Sequence, residues 1–128
     1  MSKFRILVTG SREWGEFDII ERELTDYYNL YKGEIIIIHG ECPTGADKAA
    51  SMVSEKLKCP EIKFRANWKK CGRTAGPIRN KEMLDETKPD MILAYPLRSS
   101  VGTKHMIRVA RDMHIPIFVW MKNEYKEF

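Results

Sequence analysis

The segment Ile35-Ile36-Ile37-Ile38-His39-Gly40-Glu41-Cys42-Pro43-Thr44-Gly45-Ala46-Asp47 decides the fold of this chain. Its first four residues are consecutive β-branched side chains, which are typical of a central strand that is covered on both faces. Two glycines and a proline then form a defined loop, and residues 47–58 are predicted to be a helix that Asp47 can cap. A buried strand that leads through a polar loop into a helix is the start of a βαβ unit.

The same alternation continues on both sides of this segment. The sequence predicts strands at residues 4–9, 61–66, 91–95 and 115–120, and helices at residues 18–31, 77–87 and 103–114. Residues 61–66 alternate in polarity, which favours an edge strand, and Pro116 near the start of the last strand favours the opposite edge. Right-handed crossovers then give a five-stranded parallel sheet of order 3-2-1-4-5, in a single Rossmann-like α/β domain of three layers over residues 1–128.

Composition is that of an ordinary globular protein. The 128 residues are 43% hydrophobic and 31% charged, and this length is enough to bury a core. No apolar run approaches the roughly 20 residues that span a bilayer, and no signal-peptide pattern begins the chain, so we expect a cytoplasmic protein without membrane contact.

Net charge and cysteine spacing limit the classes of ligand and metal that we expect. The net charge is +4, and part of it is focused on five cations within 13 positions, namely Lys69, Lys70, Arg73, Arg79 and Lys81. Such a patch suits a phosphorylated small molecule or a nucleic acid equally well. Three cysteines without C-x-x-C spacing suggest neither a disulfide framework nor a zinc site, so we expect no metal and no cofactor.

Four polar loops should meet at one edge of the sheet, because ligands of parallel sheets bind where the strands have their carboxyl ends. The first loop contains Gly10, Ser11 and Arg12. Glycine allows a tight turn and a close ligand approach, and the two side chains can donate hydrogen bonds. The loop is not G-x-G-x-x-G, so a simple βα turn is as good an interpretation as a ligand contact.

The second loop supplies two glycines, Gly40 and Gly45, and two carboxylates. Glu41 is a candidate for binding a ribose hydroxyl or acting as a base. Asp47 is a candidate for ligand contact or for a helix cap, and the sequence does not decide between them. Glu41 and Asp47 are therefore the candidate catalytic residues if the protein is an enzyme.

The third and fourth loops each lead into a helix. Trp68 is a candidate for stacking on a base or for pinning the loop to the domain, while Arg79 and Asn80 follow a proline at the helix start and form an anion site. Ser100, Gly102 and Thr103 open the next helix and suit a phosphate. A simple serine or threonine cap explains one hydroxyl of that group and not the whole set.

Four motifs in order resemble the YspA-type branch of the SLOG superfamily, Rossmann-like proteins named for Smf/DprA and the Lonely-guy enzymes. They are V-T-G-S-R-x-W (residues 8–14), H-G-x-C-P-x-G-A-D (39–47), A-G-P-x-R-N-x-x-M (75–83) and S-x-G-T (100–103). The resemblance implies a nucleotide-derived ligand at this edge of the sheet, a role in nucleotide signalling such as phage defence, and pairing into a homodimer.

The resemblance also implies three functions, which the chain fits to different degrees. Lonely-guy enzymes cleave N-glycosidic bonds with an arginine and a glutamate. Arg79 and Gly102-Thr103 match that pattern, but Met106 stands where the glutamate belongs and continues an apolar stripe. We therefore expect first a binder of NAD, ADP-ribose or a nucleoside phosphate, as a signal sensor or sequestering protein. The second expectation is an N-glycosidase. The third is a module that, like DprA, binds single-stranded nucleic acid, in this chain through residues 69–81.

Overall fold

The computed structural model describes residues 3–40, 42–64, 77–97, 101–121 and 124–127, with the side chains of residues 77–80, 101–102 and 124–126 left aside. Strands and helices alternate through most of the chain. The elements in order are β1 (Phe4–Gly10), α1 (Phe17–Leu30), β2 (Ile35–His39), α2 (Gly45–Leu57), β3 (Glu61–Lys63), α3 (Pro77–Thr87), β4 (Met91–Tyr95), α4 (Val101–Asp112), β5 (Ile117–Met121) and β6 (Glu124–Glu127).

The sheet confirms the predicted parallel order and adds a strand to it. Strands β1 to β5 are parallel in the order β3-β2-β1-β4-β5, and β6 pairs with β5 in the antiparallel sense. The prediction that β5 forms an edge was therefore wrong. Pro116 precedes the first residue of β5, so its missing N–H removes no donor from that strand.

Two apolar layers hold the helices on opposite faces of the sheet. On one face, Ile6 and Ile37 pack in a cluster with Leu24 of α1 and Ala50 of α2. On the other face, Leu7 belongs to a cluster with residues of α3 and α4: Met83, Leu84, Met106 and Ala110. Because side chains alternate along a strand, neighbouring residues of β1 serve the two layers, and the chain forms the predicted three-layer arrangement.

Helix starts differ from the prediction where loops pack tightly. α3 has the predicted bounds, whereas α2 begins at Gly45, with Thr44 at the N-cap position. Asp47 therefore lies in the first turn of α2 and does not cap it. α4 likewise begins at Val101, two residues before the predicted start. These early starts bring the first turns of both helices to the carboxyl edge of the sheet.

No helix in the described part of the chain combines the length and the apolar character that crossing a membrane requires.

Candidate functional site

Two of the four predicted loops are described, and they meet at the carboxyl edge of the sheet. β1 lies between β2 and β4, and the three strands end at Gly10, His39 and Tyr95. The turn after β1 consequently stands beside the start of α2 on one side and the end of β4 on the other. This point between β1 and β4 is the topological switch of the sheet, where ligands of such folds bind.

The turn after β1 is hydrogen-bonded to β4. The Ser11 N–H donates to the Tyr95 carbonyl at 3.0 Å. A Cβ atom at Gly10 would lie 2.5 Å from the same carbonyl oxygen. Any side chain at Gly10 would therefore push the two strand ends apart, so the close contact requires glycine.

The same turn is closed by Ser11. Its Oγ accepts the Glu13 N–H at 3.0 Å, and its carbonyl accepts the Trp14 N–H at 3.2 Å. Bonds of a serine hydroxyl to a main-chain N–H two residues on are a common way to hold a turn. The geometry of residues 11–14 is thus determined locally, before any ligand is considered.

The turn also caps α2. The Ser11 carbonyl accepts the Ala46 N–H at 3.1 Å, and Thr44 Oγ1 donates to the Arg12 carbonyl at 2.8 Å. Gly45 has a φ of +73°, and a Cβ there would lie 2.2 Å from the Ser11 carbonyl oxygen. We call residues 10–14 and 44–47 the paired loops, since these two hydrogen bonds and the close contact at Gly45 join them.

Asp47 braces the loop that leads into α2. Its Oδ2 accepts the Cys42 N–H at 3.2 Å, and the same oxygen would lie 3.0 Å from a Cβ at Gly40. The carboxylate thus supports the main chain after Glu41 and leaves little room for a side chain at Gly40, while Glu41 itself lies outside the described residues. Cys59 is a free thiol.

Trp14 and Tyr95 form the apolar floor beneath the switch point, a role that the sequence patterns did not predict for either residue. Trp14 is 3% exposed, and its ring meets the Tyr95 ring edge-on with centroids 5.3 Å apart. The indole N–H donates to the Glu16 carbonyl at 2.9 Å. The sequence did contain a signal for this role of Trp14, which lies five residues after the predicted strand 4–9 and closes the motif at residues 8–14.

His39 ends β2 as a buried residue with a charged neighbour. It is 1% exposed, and its Nε2 is hydrogen-bonded to Glu61 of β3. Burial tends to raise the pKa of Glu61, but hydrogen bonds from His39 and Ser51 outweigh burial and hold that pKa below its usual value. His39 therefore occupies a buried position in the core.

The remaining predicted site residues belong to the α3 and α4 side of the edge. Arg79 and Asn80 lie in the first turns of α3, and Gly102 and Thr103 lie in the first turn of α4. Thr103 is half-buried. Trp68 and Ser100 lie outside the described residues, as do residues 69–76 of the basic patch. Ligand contact by any of these residues stays a prediction.

Met106 is 3% exposed and belongs to the apolar cluster beneath α3 and α4. The position where the hydrolase pattern has glutamate is thus part of the core, as its apolar stripe predicted. Within the ranges that the structure describes, no three His, Cys, Asp or Glu side chains are placed so as to hold a metal ion.

Comparison with protein families matches residues 4–71 to the family described as YspA, cpYpsA-related SLOG. The "Gene 61 protein" of Mycobacterium phage D29 is 35% identical over 119 residues, an alignment that covers 88% of this chain and 93% of the phage protein. The family match includes the first two loops and both halves of the paired loops.

Two solved structures are similar in fold. The molybdenum cofactor binding protein of the phototrophic bacterium Rippkaea orientalis superposes with a TM-score of 0.65 at 17% identity, covering 93% of this chain and 77% of that one. A UDP-N-acetylglucosamine 2-epimerase superposes with a TM-score of 0.55 at 14% identity, covering 93% of this chain and 32% of the epimerase. At these identities, the likeness concerns the fold alone.

Proposed function

This chain belongs to the YspA, cpYpsA-related SLOG family, and from that premise we propose that it binds a nucleotide-derived small molecule at the carboxyl edge of its sheet. The ligand class is NAD, ADP-ribose or a nucleoside phosphate. The fold supports this proposal because open parallel sheets bind ligands at this edge. A protein of similar fold is named for binding a cofactor, which agrees with small-molecule binding.

The observation that carries the proposal is the set of hydrogen bonds and the close contact that join the paired loops. Residues 10–14 and 44–47 are linked by the Ser11–Ala46 and Thr44–Arg12 hydrogen bonds and by the contact at Gly45. A wall that is already ordered loses little conformational entropy when a ligand binds, which is the general advantage of preorganisation. A simple βα turn does not need hydrogen bonds to the following βα loop, so these bonds at the switch point favour a ligand site.

The hydrogen bonds also indicate where a phosphate would bind. The start of α2 already has the Ser11 carbonyl as its acceptor at Ala46, so an anion there would compete with the protein itself. The starts of α3 and α4 are the alternatives at the same edge, and a helix start attracts anions through its N–H groups and dipole. We therefore assign the phosphate to Ser100, Gly102 and Thr103, with Arg79 as the counter-charge and Asn80 beside it.

The paired loops would then hold the rest of the ligand. In this proposal Gly10, Ser11 and Arg12 contact the sugar or a second phosphate, and Arg12 is exposed at the edge. Glu41 and Asp47 face the ribose, the small residues Gly40 and Gly45 allow the main chain to approach it, and Trp68 stacks on the base. Carboxylates suit ribose because they accept hydrogen bonds from both hydroxyls.

Binding without cleavage is the function that Met106 supports. Cleavage of an N-glycosidic bond develops positive charge on the sugar and normally uses a nearby carboxylate, while position 106 supplies a buried thioether. We propose that the protein senses or sequesters a nucleotide signal in the cytoplasm. The phage origin of a relative at 35% identity supports a setting in phage–host conflict.

Differential scanning fluorimetry with AMP, NAD, ADP-ribose and cyclic nucleotides tests the proposal. A ligand at 100 times its Kd should stabilise the protein by about 2.7 kcal/mol and raise Tm by roughly 10 °C. Arg79→Ala should abolish the shift, whereas the exposed α1 cation changed by Arg22→Ala should leave it intact. Unchanged Tm with every compound, or equal shifts in both variants, would refute the assigned site.

A further inference from the structure

Two large apolar side chains are exposed at the carboxyl edge of the sheet. Leu97 follows β4 and is 51% exposed, and Met121 ends β5 and is 42% exposed. In the described part of the chain, the other exposed large hydrophobic residues lie elsewhere, namely Leu30, Tyr31 and Met52. Tyr31 has a partner within the chain, because its ring stacks on that of Phe4. Single exposed apolar residues are normal on a protein surface, so the pair at the carboxyl edge is the unusual feature.

Leu97 and Met121 leave neighbouring strands at nearly the same level. β4 and β5 are parallel, with Ala94 opposite Val119. Leu97 is three residues beyond Ala94, and Met121 is two residues beyond Val119. Neighbouring strands lie about 4.8 Å apart. The two residues therefore lie side by side at the edge, and we call Leu97 and Met121 the apolar rim.

The apolar rim and the Asp47 carboxylate lie on opposite sides of the switch point. β1 lies between β2 and β4, and β5 follows β4. Asp47 braces the loop after β2, while the Ser11 turn after β1 is hydrogen-bonded to Tyr95, two residues before Leu97. The order along the edge is therefore carboxylate, Ser11 turn and apolar rim. From β2 to β5 this edge extends over three strand spacings, about 14 Å.

The phosphate site of the proposed function falls between these two sides. It uses the start of α4, which begins four residues after Leu97. The proposed sugar lies on the Asp47 side of that phosphate. A mononucleotide has its ring and its sugar on one side of the phosphate and nothing beyond it, and ADP-ribose has only a polar sugar beyond its phosphates. The apolar rim therefore suits a ligand whose second sugar carries a ring.

We propose that the apolar rim binds the second ring of a dinucleotide, so that the ligand of this edge is NAD-like and is not a mononucleotide. This inference rests on the proposed function, because it uses the phosphate site at the start of α4. A planar ring against Leu97 and Met121 removes apolar surface of both partners from water, which favours binding. The Met121 thioether adds a favourable contact between sulfur and ring. We expect this contact to change affinity by about tenfold.

Isothermal titration calorimetry with NAD and ADP-ribose tests the ring contact, since in NAD a nicotinamide ring replaces one hydroxyl of ADP-ribose. The wild-type protein should bind NAD about tenfold more tightly than ADP-ribose. Leu97→Ser and Met121→Ser should each lower the affinity for NAD toward that for ADP-ribose, and should leave the affinity for ADP-ribose unchanged. NADH should bind at least as tightly as NAD, because its reduced ring is uncharged and an apolar contact does not need the charge.

Leu30→Ser is the matched control, since Leu30 is 68% exposed at the end of α1, on the opposite edge of the sheet. This variant should retain the preference for NAD. A preference for NAD that NADH lacks would assign the effect to the charge of the ring and overturn the apolar contact. Loss of ADP-ribose affinity in Leu97→Ser would also overturn it, because Leu97 would then contact the sugar or the phosphates.

The same titrations separate this proposal from the one on which it rests. A wild-type protein that binds AMP or ADP-ribose at least as tightly as NAD would overturn the dinucleotide and leave the proposed function standing. A wild-type protein that binds none of the three compounds would refute both.

Discussion

The main-chain carbonyl of Ser11 caps α2 by accepting the N–H of Ala46 at 3.1 Å. A helix start normally takes its capping acceptor from the side chain before it, and Thr44 at the N-cap makes no such bond. Thr44 Oγ1 instead donates to the Arg12 carbonyl. The turn after β1 therefore supplies the acceptor for α2, and the two segments form one preorganised wall of the proposed pocket.

The contact at Gly45 should tolerate no side chain. We expect Gly45→Ala to destabilise the protein by at least about 2 kcal/mol, because it combines a positive φ with a Cβ in contact with main-chain atoms of Ser11 and Arg12. Urea denaturation followed by circular dichroism measures the change. Gly15→Ala is the matched control, since a Cβ there meets nothing within 4 Å and should alter stability by no more than about 0.5 kcal/mol. Similar losses in the two variants would contradict this role of Gly45.

The Glu61 carboxylate should make stability depend on pH in the acid range. Its folded-state pKa is lowered because hydrogen bonds from His39 and Ser51 outweigh the effect of burial, so it binds protons less readily in the folded than in the unfolded chain. Its contribution is then fully present above the unfolded pKa of about 4.3 and is lost as pH falls through the folded pKa.

Urea midpoints between about pH 3 and pH 7 measure this contribution. Glu61→Gln should lower the midpoint near neutral pH and flatten its fall on the acid side. Glu55→Gln changes an exposed carboxylate on α2 and should retain the wild-type profile. Parallel curves for wild type and Glu61→Gln would show that the His39–Glu61 pair makes no linked contribution.

Introducing the glutamate of the hydrolase pattern at position 106 should damage the fold. Met106→Glu buries an ionisable group inside an apolar cluster without a described partner, and we expect a loss of about 3 kcal/mol or more. Met106→Leu nearly conserves volume and should cost less than about 1.5 kcal/mol. Thermal unfolding of both proteins gives the comparison. A stable Met106→Glu variant would mean that the site is more open to water than its 3% exposure indicates.

Nucleotides should survive incubation with the protein. Without a carboxylate at position 106, we expect AMP and NAD to remain intact over long incubation at high protein concentration, as followed by chromatography of the free base. If free base appears, Asp47→Asn and Glu41→Gln identify the carboxylate responsible. Release of base that either substitution abolishes would replace the binding function with N-glycosidase activity.

Much of the fold was predictable because it depends on local patterns. The β-branched run of β2 and the apolar run of β1 mark strands covered on both faces, and the handedness of βαβ crossovers then leaves few strand orders. The antiparallel β6 escaped prediction because Glu124–Glu127 has no apolar run and is defined by pairing with β5. Pairing between strands is a property of the assembled sheet.

The site was predictable in position and less so in its contacts. The sequence placed Ser11, Gly45 and Asp47 at one edge, and the structure brings their loops together. The sequence could not show that the Asp47 carboxylate accepts the Cys42 N–H. Nor could it show that Ser11 caps α2, because the capping atom is a main-chain carbonyl oxygen, which every residue possesses. The floor made by Trp14 and Tyr95 depends equally on a contact between distant residues.

The sequence by itself determined the parallel α/β architecture, the edge at which the first two polar loops meet and the apolar stripe to which Met106 belongs. Each of these follows from residue type and periodicity, which act over a few neighbouring positions. Only the tertiary structure decided that the Ser11 turn and the start of α2 form one unit, and that the Trp14 ring meets the Tyr95 ring. Those relationships join residues about 35 and about 80 positions apart in sequence, whose distance and orientation arise only when helices and strands pack together.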